Sequence, residues 1–290
     1  MRLALPEWNF LMKHILLTGA SGFVGRQIAK ALIDRAHHVT LVMRPAGLEK
    51  SGLLGENISA IETRDVFGED FVWWCRQLEG IDTVIHSAWY VEPGKYLDSP
   101  INIDCVAGTL PLAEACVEAG VGQFIGIGTC FEYHLPNGAI DENARVGPVT
   151  LYAAAKLALF YQLQRRFAGT QTALTWARLF YLHGEGENPA RLFPTLHRKL
   201  SSGEPMHLSS GDKTRDFLDV RDAGRLIAAL AETGQAGIAN ICSGKAVTIR
   251  QVAEQIADLY GRRDLLEFGT ATVHPRDPET VVGIPNVRIP

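Results

Sequence analysis

The chain has 290 residues, 47% of them hydrophobic, and a formal net charge of −4 at pH 7. This length is enough for one large or two modest domains with a substantial core. Because the charge balance gives no general basic field, we do not expect nucleic acid as a partner.

The cysteines form no Cys-x-x-Cys pair; there are five, Cys75, Cys105, Cys116, Cys130 and Cys242. An odd number without that spacing argues against a disulfide framework and against a zinc site. The sequence therefore predicts free thiols, a cytoplasmic location and no bound metal.

Residues 1–11 contain one basic residue, Arg2, and a short apolar stretch interrupted by Pro6 and Glu7. This is a poor signal peptide, and no stretch reaches the length of a membrane span. We expect an N-terminal extension outside the fold, or an upstream start ahead of Met12, and no membrane partner.

From Lys13 onward, short apolar runs alternate with longer amphipathic stretches, which is typical of a parallel sheet flanked by helices. Strands are predicted at residues 14–17, 39–43, 83–86, 124–127 and 173–179, and helices at 23–35, 107–119 and 151–167. A further helix is predicted up to Leu259, opened by a capping box of Thr248 and Gln251. Residues 184–213 are predicted to form loops and short elements over a cleft, and residues from His274 onward to be irregular.

The predicted fold class is α/β, a Rossmann doubly wound parallel sheet with a smaller C-terminal region. We assign residues 12–180 to the dinucleotide-binding domain and residues 181–290 mainly to substrate binding. The helices at 107–119 and 151–167 are apolar on most sides, so they must be covered on most sides. The chain's own core or a second subunit could cover them, and a homodimer is our expectation.

A glycine-rich turn follows the first strand and opens the first helix. Glycine permits the tight turn and a close approach of the pyrophosphate, and the helix N-terminus offers unpaired N–H groups to phosphate. An ordinary strand-to-helix turn is the weaker interpretation. We expect cofactor contacts from Gly19, Ser21, Gly22, Phe23, Val24 and Gly25.

The end of the second predicted strand bears on the choice of cofactor. NAD usually meets a carboxylate there, which accepts the ribose hydroxyls. Here the strand ends in Arg44, which could pair with a 2′-phosphate. The sequence therefore favours NADP over NAD, while a solvated arginine at a strand end stays open.

A tyrosine and a lysine stand four positions apart on a predicted helix, Tyr152 and Lys156. They lie one turn apart on the same helical face, where the ammonium favours the phenolate. The neutral phenol can protonate the oxygen of a ketone that receives hydride. Thr129, at the end of an apolar strand, can donate a hydrogen bond to that oxygen.

Together with the segments His86–Trp89 and Arg215–Asp222, these motifs closely resemble the extended short-chain dehydrogenase/reductases, in the nucleotide-sugar epimerase/dehydratase branch. The resemblance covers roughly Lys13 to Asp277. It implies that Tyr152 is the acid/base, that Lys156 binds the ribose and tunes the phenol, and that Thr129 polarises the sugar carbonyl. It also implies cofactor contacts from Asp65, Val66 and Ala88, and substrate contacts from Trp89, Tyr181, Arg191 and Arg215. A salt bridge of Arg215 to Asp212 or Asp216 is the alternative for that arginine.

The sequence departs from the family's pattern at three places. Cys105 stands where the family often has Asn, and Tyr181 replaces an Asn that usually touches the substrate. The 4,6-dehydratases carry Asp-Glu directly after the catalytic Thr, and here Cys130 and Phe131 follow it. Since elimination of water needs an acid and a base, we do not expect a 4,6-dehydratase.

A nucleotide-sugar 4-ketoreductase and a 4-epimerase both remain. Arg44 suggests an exchangeable NADPH and therefore favours reduction of a 4-keto-6-deoxy sugar nucleotide. A non-catalytic redox sensor is the interpretation from another class, against which the intact Tyr152 and Lys156 count.

Overall fold

The computed structural model describes residues 12–45, 47, 51–53, 55–135, 138–272 and 277–288. The predicted extension at residues 1–11 lies outside these described residues. Among the described residues, no helix is both long and apolar enough to cross a membrane.

The central feature is a seven-stranded sheet whose neighbouring strands are all parallel. In chain order the strands are β1 (His14–Thr18), β2 (His38–Met43), β3 (Ile58–Glu62), β4 (Thr83–His86), β5 (Gln123–Thr129), β7 (Ala173–Leu179) and β12 (Gly237–Ile241). Their spatial order is β12-β7-β5-β4-β1-β2-β3. The chain changes direction of travel across the sheet between β1 and β4, which is where such folds bind ligands.

The predicted doubly wound α/β fold is confirmed, and each predicted strand lies inside an observed one. The sequence pattern missed β3 and β12. β3 is an edge strand whose residues are half-buried or exposed, so it presents no apolar run, and β12 contains Gly237 and Asn240 among its five residues.

Helices cover both faces of the sheet. One face packs against α1 (Phe23–Ile33) and α6 (Val220–Thr233). The other packs against α2 (Phe71–Gln77), α3 (Ile101–Glu118) and α4 (Leu151–Phe167). Successive side chains of β1 point to opposite faces of the sheet, which explains the two layers. Ile15 and Leu17 belong to the first core and Leu16 to the second.

A smaller region lies beyond the sheet's carboxyl end. Here α5 (Leu192–Ser202) and α7 (Ile249–Tyr260) share a core with β9 (Met206–Leu208) and β14 (Leu266–Phe268). The capping box that was predicted to open α7 is present. Two strands, β8 (Tyr181–His183) and β11 (Phe217–Asp219), pair in parallel nearby.

The expectation that the chain is irregular from His274 onward is wrong for its described part. β15 (Thr280–Gly283) is a strand in a four-stranded sheet with β6 (Ala139–Ile140), β10 (Thr214–Arg215) and β13 (Val247–Thr248). Its partners come from distant parts of the chain, so no local pattern predicts the pairing.

Candidate active site

The glycine turn lies between β1 and α1 and is packed tightly against β4. Gly19 has φ +75°, and a Cβ there would lie 2.6 Å from the Ala88 backbone nitrogen. A Cβ on Gly25 would collide with the Gly19 carbonyl oxygen. Gly22 is the N-cap of α1 and provides no capping side chain. The turn therefore leaves the N–H groups of the first helical turn open to an anion, and it fits a dinucleotide pyrophosphate.

The other predicted residues of the turn flank the N-cap of α1, with Ser21 before it and Phe23 and Val24 after it. Ser21, Phe23 and Val24 are half-buried, and Phe23 and Val24 pack on the core beneath. Their backbone belongs to the open end of the helix, and their side chains anchor it.

Three further cofactor candidates follow the neighbouring strands. Arg44 is exposed after β2, Asp65 is exposed after β3, and Ala88 follows β4. The Asp65 carboxylate accepts a hydrogen bond from the Phe67 backbone, beside the half-buried Val66. Because parallel strands end at one edge, these residues share that edge with the glycine turn.

The catalytic candidates meet where β5 ends and α4 begins. Thr150 caps α4 by accepting a hydrogen bond from the Ala153 backbone. Burial raises the pKa of Tyr152 well above that of a free phenol, Tyr96 and Glu132 add to the rise, and a hydrogen bond with Thr129 opposes it. In the free protein Tyr152 is therefore a neutral phenol, which can donate a proton.

Lys156 is 2% exposed and lies beneath this phenol. Its Nζ donates to the Ile127 carbonyl at 2.7 Å and lies 3.6 Å from the centroid of the Trp89 ring. Burial lowers the pKa of Lys156 to about 7, against the raising effects of Glu132 and Cys105. Small changes in the surroundings can therefore switch its charge near neutral pH.

The structure places Trp89, predicted to bind substrate, directly on Lys156. Its indole N–H donates to Asn102 at 2.8 Å, and Asn102 is fully buried. The indole is thus held in one orientation against the ammonium.

Tyr96 is a neighbour of the site that the sequence pattern did not indicate. Its ring stands edge-on to Tyr152, with 5.0 Å between centroids. Tyr96 belongs to a short 3-10 helix, Tyr96–Asp98, which carries no motif, so only the tertiary structure shows this contact.

A cavity of about 240 Å³ includes Tyr181 in its wall, and the Tyr181 ring contacts Phe131, two residues after Thr129. The walls of this cavity include Tyr181, Arg191, Phe193, Lys213, Arg215 and Phe217. Three predicted substrate contacts therefore line one space together with one further basic residue and two aromatic residues. A larger cavity, of about 560 Å³, is lined by His183, Asn240 and Lys245 among others and contains none of the predicted site residues.

Arg215 is 3% exposed and already has partners. Its Nη2 donates to Asp277 and to the Pro278 carbonyl, each at 2.7 Å. The considered salt bridge to Asp212 or Asp216 is not the one formed. Asp216 instead accepts hydrogen bonds from Ser243, Gly244 and Gly283.

The positions after Thr129 hold no exposed acid. Cys130 is buried, and burial raises the pKa of its thiol. Glu132 is fully buried, and its carboxylate is engaged by Trp176 and Arg178. The site offers a proton donor and a hydrogen-bond donor, and it lacks the carboxylate pair for elimination.

The model of the NAD dependent epimerase/dehydratase family matches residues 15–242. A relative from Aggregatibacter actinomycetemcomitans, dTDP-6-deoxy-L-talose 4-dehydrogenase (NAD(+)), is 26% identical over 245 residues, which cover 83% of this chain and 88% of that protein. The solved structure of UDP-N-acetylglucosamine 4-epimerase from Methanobrevibacter ruminantium M1, in complex with UDP-N-acetylmuramic acid, has a TM-score of 0.82 and covers 94% of this chain and 89% of that chain at 23% identity. At that identity the likeness shows the fold.

A second solved structure, MoeE5 in complex with UDP-glucuronic acid and NAD, is 26% identical, with a TM-score of 0.75 over 93% of this chain and 89% of that chain. These neighbours hold nucleotide sugars, and MoeE5 holds NAD as well. The family match spans most of the chain and includes the glycine turn, Thr129, Tyr152 and Lys156. This protein belongs to the NAD-dependent epimerase/dehydratase family of enzymes.

Proposed function

We propose that this enzyme reduces a 4-keto sugar nucleotide, most readily a 4-keto-6-deoxy sugar, to the corresponding alcohol. The observation that carries the proposal is the half-buried Tyr152, a neutral phenol beside the Thr129 hydroxyl, next to Cys130 and Phe131 in place of an acid–base pair. Such a site can protonate a carbonyl oxygen and is poorly suited to remove water. The relative named as a 4-dehydrogenase of a dTDP-6-deoxy sugar supports an oxidoreductase.

NAD(P)H, held by the glycine turn and Lys156, would supply a hydride for the sugar carbonyl carbon. Thr129 donates a hydrogen bond to the carbonyl oxygen, and the Tyr152 hydroxyl transfers its proton to that oxygen. The ketone becomes a secondary alcohol, and Tyr152 is left as a phenolate that regains its proton from solvent. Lys156 stabilises the phenolate by its positive charge.

We propose NADPH as the preferred donor because Arg44 ends β2 with an exposed side chain and can form paired hydrogen bonds with a 2′-phosphate. Glycine-turn residues and the α1 N-terminus would hold the pyrophosphate. Asp65, Val66 and Ala88 would contact the adenosine and nicotinamide halves.

The substrate would lie in the cavity that Tyr181, Arg191 and Arg215 line. Arg191 is exposed and can supply paired donors to diphosphate oxygens, and Arg215 adds a positive charge at the wall. Tyr181 beside Phe131 gives the sugar a partly apolar wall, with ring centroids 5.9 Å apart. A 6-deoxy sugar presents a methyl group that suits such a wall.

We also propose a homodimer that buries the outer faces of α3 and α4. Ile103 and Tyr161 are 58% and 47% exposed on these helices, and a second copy would remove this apolar surface from water.

The test is to incubate the purified enzyme with NADPH or NADH and a panel of 4-keto and ordinary sugar nucleotides. Net consumption of NADPH with a 4-keto sugar supports the proposal. Interconversion of two sugars without net cofactor change would identify a 4-epimerase, and binding without turnover would identify a sensor.

A further inference from the structure

Glu132 is a buried acid three residues after Thr129, on the short 3-10 helix Cys130–Glu132. Its side chain accepts a hydrogen bond from the Thr129 backbone N–H at 2.9 Å, while the Thr129 hydroxyl accepts one from the Phe131 backbone at 3.3 Å. This is a capping box at a strand end. It fixes the backbone that carries a hydroxyl of the active site.

The other side of the carboxylate is equally occupied. Arg178 donates from Nε to Oε2 at 2.8 Å, and the Trp176 indole donates to both oxygens at 3.0 and 3.1 Å. Glu132 and Arg178 are 0% and 1% exposed. Every partner is an N–H donor, so only the ionised carboxylate satisfies all of them.

Glycines in β5 make room for this arrangement. A Cβ on Gly128 would lie 2.6 Å from Glu132 Oε1, and a Cβ on Gly126 would collide with the Trp176 ring. Ile127, between them, offers its carbonyl to Lys156. The same stretch of strand thus makes room for the acid and holds the lysine of the site.

We propose that Glu132 is a positioning residue, whose carboxylate, held by Arg178 and Trp176, sets the backbone of Thr129 and so the direction of the Thr129 hydroxyl. The proposal deepens the proposed function and rests on it for the catalytic role of Thr129. It assigns the acid no contact with substrate.

The chemistry of a glutamine at this position gives a sharp test. An amide has one oxygen where the carboxylate has two. In Glu132→Gln the single amide oxygen accepts a hydrogen bond from the buried Arg178 cation. The amide NH2 group then faces the Thr129 N–H, and because both are donors no hydrogen bond forms between them. In Glu132→Gln/Arg178→Met the cation is gone, and the amide oxygen is free to accept from Thr129 again.

We expect Glu132→Gln to lower kcat roughly ten- to a hundredfold, the loss produced by small misplacements of a reacting group, with KM and cofactor affinity nearly unchanged. The double variant should recover part of that loss. In a Thr129→Val background, Glu132→Gln should change kcat by less than about twofold, because residues that act through one another are not additive. Equal kcat losses in both backgrounds, or a double variant slower than Glu132→Gln, would overturn the proposal.

A second measurement needs no substrate. In protein labelled with 15N-threonine, the Thr129 amide is identified by its loss in Thr129→Val. Its proton should shift upfield and exchange faster with water in Glu132→Gln, and return toward the wild-type position in the double variant. An unchanged Thr129 amide would refute the positioning role. Absence of turnover in the wild-type enzyme would refute the proposed reaction instead, so the two failures are distinguishable.

Discussion

Arg215 lines the substrate cavity and hydrogen-bonds residues 277–279. We therefore expect Arg215→Ala to weaken substrate binding and to destabilise the fold. The guanidinium donates four hydrogen bonds, to Asp277 and to the carbonyls of Thr214, Pro278 and Glu279. At about 1 kcal/mol for each carbonyl bond, and about 0.5 kcal/mol for an ion pair whose acid is partly exposed, the sum is roughly 3.5 kcal/mol. Since water will satisfy some of the freed carbonyls, we expect a loss of about 2–3 kcal/mol in the free energy of unfolding.

The assay for Arg215→Ala combines urea and thermal denaturation with steady-state kinetics. The melting temperature should fall by about 4–10 °C, and KM for the sugar nucleotide should rise about tenfold or more through the loss of a positive charge beside the phosphate. The affinity for the cofactor should be unchanged. Arg225→Ala is the matched control, since Arg225 is exposed on α6 and pairs with Asp222 of the same helix. A raised KM with unchanged stability would show that the bonds to residues 277–279 carry no energy, and would refute this reasoning.

The remaining predictions concern the catalytic set and its supports. Tyr152→Phe should lower kcat by about 10²–10⁴ while cofactor affinity in a fluorescence titration stays within about twofold; normal turnover would exclude Tyr152 as the acid. Arg44→Ala should weaken NADPH binding about tenfold and leave NADH binding alone, whereas equal losses would place Arg44 away from the 2′-phosphate. Burial lowers the pKa of Lys156 to about 7. Above this pH, Lys156 therefore loses its proton in the folded protein but keeps it in the unfolded chain. The unfolding free energy of wild type, relative to Lys156→Met, should thus rise by up to about 1.4 kcal/mol per pH unit between pH ~7 and ~10. The same pH dependence of the unfolding free energy in both proteins, measured by urea denaturation, would contradict this. Gly128→Ala should destabilise the protein by about 1–3 kcal/mol, because its Cβ would lie 2.6 Å from Glu132 Oε1. A urea midpoint equal to that of the wild type would show that the surrounding side chains move to accommodate the methyl group without cost.

The sequence by itself predicted five of the seven strands of the central sheet, the glycine turn, and Thr129, Tyr152 and Lys156 as the proposed catalytic trio. These features are local: an apolar strand, a turn that needs glycine at φ +75°, and a helical spacing of four residues between Tyr152 and Lys156. Leu151–Phe167 and Ala173–Leu179 were predicted with the bounds that the structure shows. The local sequence is enough to predict a helix or strand when the hydrophobic periodicity of that segment and the residues at its ends define it.

Only the tertiary structure decided which groups surround that trio. The contact of Tyr96 with Tyr152, the partners of Arg215 and the Glu132–Arg178 pair all join residues far apart in the chain. So does the pairing of Thr280–Gly283 with strands from two other segments. Burial and hydrogen bonding between distant residues depend on how the layers pack, and this packing has no period or spacing that a sequence displays.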